Sequence, residues 1–338
     1  MNKKIIWGVL VIVFFVGGGV FLRYSGWQSG FFKETPKVYR IGVLNGLGLF
    51  APTVDGLKQR MTELGYREGE NITYEIYQTN FELEKEKQIL KKFVDEKVDL
   101  IVSSPTEVSQ EAKRAIAGTN IPLVFVNAFT EGSGLVESVS YPGGNVTGVR
   151  FPGPELILLN LETLHEIVPQ AKRIYVPYDP NYPASQLILD RLRPAAVALH
   201  LTLVEVQVTS FEELDAELAK RSLLKDPGVD AIITMANTIT ASPRGTAAIG
   251  RFALAHKIPY ESTVSSDNPS GLFFIIPDPF EAGTQAAGFV DKILRGIPAG
   301  TISVTSQEAY LSINYKVAQS LGITISEGLL ARAKRVIH

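Results

Sequence analysis

The chain has 338 residues, of which 45% are hydrophobic and 20% are charged, a balance that is typical of a folded globular protein. Its formal net charge of -2 disfavours a nucleic-acid-binding surface, which would need a basic face. The sequence contains no cysteine, which excludes disulfides, thiolate metal sites, a thiol nucleophile and a lipid-anchor cysteine.

The N-terminal segment predicts a membrane anchor. Residues 5–22 form an uncharged run of 18 residues, which reaches the lower limit for a helix that spans a bilayer. Lys3 and Lys4 precede this run, so the positive-inside tendency sends the following chain outside the cytoplasm. We favour an uncleaved anchor over a cleaved signal peptide, because the cleavage pattern after the run is weak. Residues 1–34 are assigned to the anchor and its linker.

From residue 38 onward, short apolar runs alternate with amphipathic stretches. The predicted strands of the first half are VYRIGVLN, NITYEIYQT, VDLIVSS and IPLVFVNAF. Those of the second half are KRIYVPYDP, LTLVEVQVT, VDAIITMAN and IPYEST. Val98–Val102 corresponds to Val229–Ile233, and Ile121–Pro122 corresponds to Ile258–Pro259, roughly 130 residues later. This offset is too long for a solenoid repeat and indicates two lobes of one architecture.

Strands that alternate with helices predict parallel sheets with helices on both faces. We expect an α/β protein with two doubly wound parallel-sheet lobes around an interdomain cleft. In such sheets, ligands bind beyond the carboxyl ends of the strands. The first lobe is expected to comprise residues 38–148 and about 279–300, and the second residues 149–278 and about 301–338.

The stretch SYPGGNVTGV, residues 140–149, lies where the first predicted lobe ends. Gly143 and Gly144 permit backbone angles that other residues avoid, and Pro142 ends whatever precedes them. The Asn145–Thr147 triplet is also an N-glycosylation sequon, which matters only in a host that glycosylates. We interpret the stretch as a turn that leads into an interdomain crossover.

Several segments together resemble one family of transport proteins. They are SGLVESVSYPGGNVTGV, the SSPTEV loop after a VDLIV strand, IPLVFV, AKRIYVPYDPN and the tail YLSINYKVAQSLGITISEGLLARAKRVI. The family is the ABC-transporter substrate-binding family of periplasmic-binding-protein type, which includes tryptophan- and tyrosine-binding proteins. The resemblance covers residues 38–337 and implies a two-lobed type I fold that closes on a small solute and presents it to a permease. Thr130-Glu131 and Asn237 depart from the family pattern, in loops where the cleft is expected.

Polar residues follow the predicted strands where a cleft would lie. Ser103, Ser104 and Thr106 come between a buried strand and a helix, where hydroxyls and free backbone N–H groups can bind a ligand carboxylate. A helix cap that touches no ligand is the alternative, and the resemblance favours binding. Further ligand-binding candidates at strand ends are Asn45, Asn127, Asp179, Asn181, Asn237 and Asp278. Turn conformation alone can explain any one of these residues.

Two further kinds of group are considered for the cleft, a carboxylate for a ligand ammonium group and an apolar wall. A ligand ammonium group would pair with a carboxylate, for which Asp179, Asp278 and Glu261 are available. An apolar wall could be formed by Phe50, Phe129 and Tyr182, although each of these rings fits a core position equally well.

Two kinds of enzyme are weighed against a binding protein. Gly46–Ala51 matches a G-x-G-x-x-A dinucleotide fingerprint, but the next strand lacks the acidic residue that would hold the ribose. The motifs of serine hydrolases, zinc proteases and phosphate loops do not occur. An NAD(P)-binding oxidoreductase therefore stays a minor alternative, and neither a cofactor nor a metal is predicted.

The leading hypothesis is an extracytoplasmic, membrane-anchored solute-binding protein without catalytic activity. It would act as a monomer, close on a small molecule and deliver it to an ABC permease. The resemblance implies an amino acid, aromatic ones included. A ligand-sensing module that signals to a membrane partner would use the same closure and is the alternative.

Overall fold

The computed structural model describes residues 37–262 and 270–338. None of the helices in these two ranges is long and apolar enough to span a membrane. The predicted anchor, residues 5–22, lies outside the described residues. The two halves of the sequence pattern correspond to two sheets, within one compact unit that begins at Tyr39.

The first sheet has six strands, all parallel to their neighbours. They are β1 (Tyr39–Asn45), β2 (Ile72–Gln78), β3 (Leu100–Ser104), β4 (Leu123–Ala128), β5 (Val146–Arg150) and β11 (Thr305–Ser306). Their order across the sheet is β11-β5-β4-β3-β1-β2. The flanking helices are α1 (Ala51–Glu63), α2 (Leu83–Asp95), α3 (Thr106–Ala115) and α8 (Pro279–Leu294). This sheet and these helices form the first lobe.

Alternating residues of the buried strands supply the two faces of the first sheet. Val102 and Val124 pack with α1 and α8 on one face, and Ile101 and Phe125 pack with α2 and α3 on the other. Successive side chains of a strand point to opposite faces, so strands covered on both faces are apolar throughout. This explains the continuous apolar runs in the sequence.

The second sheet has seven strands, in the order β13-β12-β10-β9-β8-β6-β7. They are β6 (Arg173–Tyr178), β7 (Thr202–Gln207), β8 (Ala231–Ile233), β9 (Tyr260–Glu261), β10 (Phe273–Pro277), β12 (Ala309–Asn314) and β13 (Arg335–Ile337). Its helices are α4 (Gly153–Ile167), α5 (Ser185–Ala198), α6 (Phe211–Ser222), α7 (Pro243–His256), α9 (Tyr315–Leu321) and α10 (Glu327–Arg332). The β10–β12 pair is antiparallel, and the other described pairs are parallel. This sheet and these helices form the second lobe.

The repeat predicted from the sequence is a repeat of topology. The strands β2-β1-β3-β4-β5 of the first sheet have the same order as β7-β6-β8-β9-β10 of the second. In the first sheet the strand order changes direction between β1 and β3, and in the second between β6 and β8. The carboxyl ends of strands at such a switch point are where α/β proteins bind ligands. The two doubly wound lobes expected from the sequence are therefore confirmed.

The chain passes between the sheets three times, after β5, after β10 and after β11. Thr305 and Ser306 pair with Val149 and Arg150 of the first sheet, so the third crossing follows residue 306 and not residue 300. The predicted turn at residues 140–149 precedes β5, and Gly143 has a positive φ of 76° there. β5 belongs to the first sheet, so the chain leaves this sheet after Arg150, close to the predicted limit at residue 148. The exact limits of the two lobes stay a prediction.

Candidate functional site

Asn127, at the end of β4, has an unusual backbone conformation. Its φ is 55°, and the pairing of β4 with β5 shifts register between Val126 and Ala128. Asparagine tolerates this left-handed conformation better than most residues, and bulges of this kind redirect a side chain at a sheet edge. Asn127 is therefore a strand-end residue whose side chain is set by the local backbone.

The Asn127 side chain joins three other buried polar groups. Its Nδ2 donates to Thr53 Oγ1 at 3.0 Å and to Ser104 Oγ at 3.1 Å. Its Oδ1 accepts from Gln307 Nε2 at 2.6 Å. All four side chains are buried, and Gln307 Oε1 has no hydrogen-bond partner among the described residues. We call Thr53, Ser104, Asn127 and Gln307 the polar edge of the first lobe.

The other first-lobe candidates have varied positions around the polar edge. Asn45 ends β1 and lies beside Ser104 in register. Thr106 Oγ1 accepts from the backbone N–H of Phe129 at 3.0 Å. Ser103 precedes Ser104 in the same strand and points to the other face, where its hydroxyl donates to Ser109 Oγ at 2.8 Å. The structure thus brings Asn45, Ser104, Thr106 and Asn127 together and separates Ser103 from them.

Phe50 is half-buried in the short 3-10 turn before α1. No aromatic contact joins it to Phe129 or Tyr182 within residues 37–262 and 270–338. The rings of Phe129 and Tyr182, in contrast, do pack against each other. Only two of the three rings expected in an apolar wall are therefore brought together.

The second-lobe candidates make turns and caps. Asp179 Oδ1 accepts from the backbone N–H of the exposed Asn181 at 2.9 Å. Asn237 uses both its amide nitrogen and its oxygen within its own turn, with Met235, Ile239 and Thr240 as partners. Asp278 caps α8 by accepting from the Phe280 N–H at 2.9 Å. These contacts account for the residue types locally, and a ligand-binding role for them stays a prediction.

A small apolar pocket, with room for about one water molecule, lies at the carboxyl end of the second sheet. Its apolar lining includes Phe129, Phe151, Leu156, Ile157, Met235 and Ile275. Phe129 is carried by the first lobe, yet it packs among core residues of the second. Gly153 makes room for it, because a Cβ at that position would lie 2.2 Å from Phe129 Cε1. The pocket is therefore a feature of both lobes.

Asn160 and Thr234 add polar groups to this pocket. Asn160 Nδ2 donates to Glu261 Oε1 at 2.8 Å, and the Thr234 N–H donates to Glu261 Oε2 at 3.2 Å. Burial raises the pKa of Glu261 to about 8, because a carboxylate is costly to ionise away from water, and the Thr234 N–H partly opposes this shift. Glu261, which the sequence offered as a partner for a ligand ammonium, instead lies behind Asn160.

The two lobes touch across the cleft through Tyr182. Its ring packs edge-on against Phe129, with ring centroids 5.7 Å apart. Burial raises the pKa of the Tyr182 hydroxyl, the nearby Glu107 carboxylate raises it further, and a hydrogen bond with Thr106 opposes both. Tyr182 belongs to the second lobe and Thr106 to the first, so this contact bridges the cleft.

Glu107 is a site residue that the sequence reasoning missed. It lies in the first turn of α3, and burial raises the pKa of its carboxyl group. Its Oε2 is buried and has no hydrogen-bond partner among the described residues. Its position directly after Thr106 was the available signal, since a carboxylate is favoured at a helix N-terminus.

An arginine links the lobes at the crossover. Arg150, the last residue of β5, donates from Nε to Ser306 Oγ at 2.8 Å and forms ion pairs with Glu131 and Glu155. Glu131 follows β4 in the first lobe, while Glu155 lies in α4 of the second. The departure from the family pattern at Glu131 thus supplies a partner for a buried arginine.

Packing explains the glycine segment that resembles a dinucleotide fingerprint. A Cβ on Gly46 would lie 2.5 Å from Phe81 Cε1. Packing against Phe81 therefore explains the glycine at this position without a bound phosphate. Across residues 37–262 and 270–338, no three His, Asp or Glu side chains are grouped to hold a metal ion. The site thus combines a polar edge with the aromatic contact between Phe129 and Tyr182, where the two lobes meet.

Solved structures share this fold. A protein from Streptococcus pneumonia, described as an ABC domain in complex with L-Trp, is similar with a TM-score of 0.78 and 24% identity, over 89% of this chain and 100% of that one. A ligand-free, open substrate-binding protein with adhesive properties from Clostridium difficile is similar with a TM-score of 0.70 and 23% identity, over 89% and 99% of the two chains. At these identities the likeness establishes the fold alone.

Sequence comparison extends the likeness beyond the fold. The chain is 26% identical over 270 residues to a tyrosine-binding protein from Clostridioides difficile (strain R20291), over 79% of this chain and 75% of that protein. The profile of the family described as "ABC transporter substrate binding protein" matches residues 42–337. The match spans nearly all of the described chain, which therefore belongs to the ABC transporter substrate-binding protein family.

Proposed function

We propose that this substrate-binding protein takes up an aromatic amino acid between its lobes. The observation that carries the proposal is the polar edge beside the paired rings of Phe129 and Tyr182, because a zwitterionic head and an apolar side chain need a polar and an apolar surface. Phe129 follows directly from the polar-edge strand β4, so a ligand whose head group binds at the polar edge would lie beside its ring. The tyrosine-binding relative and the L-Trp complex support the same ligand class.

The head group would bind at the polar edge. The N-terminus of α3 and the Ser104 hydroxyl suit a carboxylate, since free backbone N–H groups and hydroxyls are good donors to an anion. The unpaired Oε atoms of Gln307 and Glu107 suit an ammonium group. Buried polar atoms without partners cost free energy, so a ligand that pairs with them gains affinity.

A thermal-shift panel tests the ligand class. The purified protein, stripped of bound solutes by unfolding and refolding, is melted with L-tyrosine, L-tryptophan, L-phenylalanine, L-alanine, glucose and NADH. At about a hundred times its dissociation constant, a ligand adds roughly 2.7 kcal/mol to the free energy of unfolding, which shifts the melting temperature by several degrees. We expect a shift with the aromatic amino acids. A shift with glucose or NADH alone would contradict the proposal.

We also propose that the protein delivers this ligand to an ABC permease. A ligand that contacts both lobes favours the closed state and shifts the hinge equilibrium toward it, which gives a permease a closed form to recognise. Uptake of labelled L-tyrosine by source cells tests this step. We expect deletion of the gene to reduce uptake and the wild-type gene to restore it. Unchanged uptake together with a lost transcriptional response would favour the sensing alternative.

Substrate-binding proteins of ABC transporters are extracytoplasmic, and we propose that residues 5–22 anchor this one to the membrane. The support is the uncharged run itself, preceded by Lys3 and Lys4. Membrane fractions washed at alkaline pH provide the test. We expect the full chain to stay with the membrane, and its release in a shortened form would indicate cleavage.

A further inference from the structure

Arg150 lies where two of the three crossovers between the lobes begin. It ends β5, directly before the first crossover, and its Nε donates at 2.8 Å to the Oγ of Ser306, which ends β11 directly before the third. The backbone N–H of Gln307 donates to the Arg150 carbonyl oxygen at 3.1 Å, so the two crossovers are joined at this point. Arg150 therefore belongs to the hinge of the molecule.

The Arg150 side chain is a buried charge with one carboxylate on each side of the hinge. Only 8% of the residue is exposed, and an arginine keeps its charge when it is buried. Its Nη1 pairs with Glu131, which follows β4 in the first lobe, and its Nη2 pairs with Glu155, in the first turn of α4 in the second lobe. A buried charge that loses its only partner is costly, so an arginine at a hinge needs a carboxylate that moves with it.

The two carboxylates differ in how they respond to a movement of the lobes. Arg150 and Glu131 belong to the same lobe, and the Phe151 N–H donates to the Ala128 carbonyl oxygen at 2.8 Å, which keeps the chain on the first sheet beyond the end of β5. A rotation of the lobes therefore pivots in the short segment before α4, between Arg150 and Glu155. Such a rotation separates Glu155 from the guanidinium group and leaves Glu131 in place.

We infer that the Arg150–Glu155 pair is an ionic latch across the hinge, which holds the two lobes in the closed arrangement, and that Glu131 keeps Arg150 paired when the lobes open. This inference goes beyond the proposed function, because it concerns the balance of the open and closed forms and not the ligand. The Glu155 side chain is 58% exposed, so salt in the solvent screens the pair. The closed form should therefore be populated without a ligand and lose population as the ionic strength rises.

The latch also affects a ligand that the lobes enclose. The apparent affinity for such a ligand is proportional to the fraction of the protein that is closed before binding, as long as that fraction is small. Loss of the latch should therefore weaken binding by the same factor by which it lowers the closed population.

Distance measurements between two spin labels test the latch on the full-length, solute-free protein. The chain contains no cysteine, so Leu83→Cys and Leu187→Cys provide two unique labelling positions. Both leucines are exposed and lie near the starts of α2 and α5, which face the cleft because each helix follows the carboxyl end of a strand. We expect an open and a closed distance, with a closed-to-open ratio that falls about threefold between about 50 mM and about 500 mM NaCl.

Two charge-removing variants should act in opposite directions, which a merely structural role would not produce. Glu155→Gln should lower the closed-to-open ratio about threefold at low salt and remove the salt response. Glu131→Gln should raise the ratio while it lowers the melting temperature, because the open form would then hold a buried arginine without a carboxylate. Glu162→Gln is the matched control: Glu162 is exposed about two turns further along α4, and this variant should keep the wild-type ratio.

An unchanged ratio in Glu155→Gln, or a wild-type protein whose ratio does not respond to salt, would overturn the latch. A lower ratio in both Glu155→Gln and Glu131→Gln would also overturn it, since the arginine network would then only support the fold. Addition of L-tyrosine should shift the labels to the closed distance. If L-tyrosine leaves the distances unchanged while Glu155→Gln lowers the ratio, the proposed ligand is wrong and the latch is retained.

Discussion

Asn127 holds a left-handed backbone conformation at a shifted register, and its amide joins Thr53, Ser104 and Gln307. Backbone strain of this kind costs of the order of 1–3 kcal/mol and persists where the surroundings compensate for it, often at functional sites. At the residue scale, the site is therefore a set of buried polar groups held by one strained residue. Removing a member leaves its partners unpaired.

Asn127→Ala should lower both stability and affinity. The variant loses three side-chain hydrogen bonds and places alanine at a positive φ, so we expect a loss of about 3 kcal/mol in the free energy of unfolding. Urea denaturation measures this value, and L-tyrosine affinity should fall about tenfold. Asn127→Gly is the matched variant: it loses the same bonds without the backbone strain and should be about 1 kcal/mol more stable than Asn127→Ala. Equal stabilities would contradict the role assigned to the backbone.

The raised pKa of Glu261 predicts that the free energy of unfolding depends on pH. Its carboxyl pKa is about 8 in the folded protein and has an ordinary value of 4.5 in the unfolded chain, so the folded state holds one proton more between these two values. The contribution of Glu261 to the free energy of unfolding should therefore be fully present below pH 4.5 and fall as pH rises toward 8, by up to about 1.4 kcal/mol per pH unit.

Melting curves of wild type and Glu261→Gln between pH 5 and pH 8 measure this effect. Glutamine does not titrate, so the difference in melting temperature between the two proteins should change across that range. Burial also raises the pKa of Glu86 and Glu107, but both are present in either protein and cancel in the comparison. A constant difference would show that Glu261 is not buried as described.

The sequence predicted individual site residues unevenly. Ser104 and Asn127 of the polar edge could be proposed from the sequence because they lie at the ends of buried strands, and strand ends are recognisable. Ser103 was grouped with Ser104, although the alternation of a strand sends the two hydroxyls to opposite faces. Gln307 carried no signal, because it meets Asn127 across a separation of 180 residues. Asn160 interrupts the apolar run of residues 156–161, yet only the structure brings it to a pocket.

At the scale of elements, the pairing of α1 with α8 joins distant parts of the first lobe. A Cβ on Gly56 would lie 2.0 Å from the Phe280 carbonyl oxygen, and one on Gly283 would lie 1.9 Å from the Thr53 carbonyl oxygen. The two helices therefore approach each other with glycine on both sides. This contact also sets the position of Thr53, at the start of α1 in the polar edge.

Gly283→Ala and Gly288→Ala form a matched pair in α8. Gly283→Ala places a methyl group against backbone that cannot move freely, so we expect a loss of about 3 kcal/mol or more in the free energy of unfolding. Gly288 has no atom within 4 Å of its Cβ position, so alanine there should raise stability by about 0.5–1 kcal/mol through its better helix propensity. Guanidinium denaturation distinguishes the two. Similar effects of both substitutions would contradict the close packing of α1 on α8.

The elements themselves were largely predictable. Apolar runs and amphipathic stretches identified β1 to β4 and β6 to β9 with the helices between them, because buried parallel strands and surface helices have distinct periods. The two-residue strand β11 was not predicted, since so short a segment has no period. Its pairing with β5 is what keeps the chain on the first sheet beyond residue 300.

At the scale of the whole molecule, the two lobes are held together by an aromatic contact and an ion-pair network. Phe129 of the first lobe enters the pocket of the second above Gly153, and Arg150 pairs with a carboxylate of each lobe. We expect both contacts to favour the closed arrangement. A substitution that displaces the Phe129 ring from its position beside Gly153 should therefore favour the open arrangement of the two lobes.

Gly153→Ala should weaken ligand binding without unfolding either lobe. Its methyl group would collide with the Phe129 ring, so the closed state loses a packing contact and the affinity for L-tyrosine should fall about tenfold. A double-mutant cycle with Phe129→Ala checks the cause. In the Phe129→Ala background the methyl group meets no ring, and Gly153→Ala should have little further effect. Additive losses would show that the two residues act separately.

We propose that one ligand contacts the polar edge and the Phe129 ring together. Calorimetric titration of the solute-free protein with L-tyrosine, tyramine and L-alanine tests it most directly, because tyramine lacks the carboxylate and alanine lacks the ring. We predict one site for L-tyrosine, a negative heat-capacity change from apolar burial, and affinities at least about tenfold weaker for each analogue. Binding of L-alanine or tyramine as tightly as L-tyrosine would contradict the account.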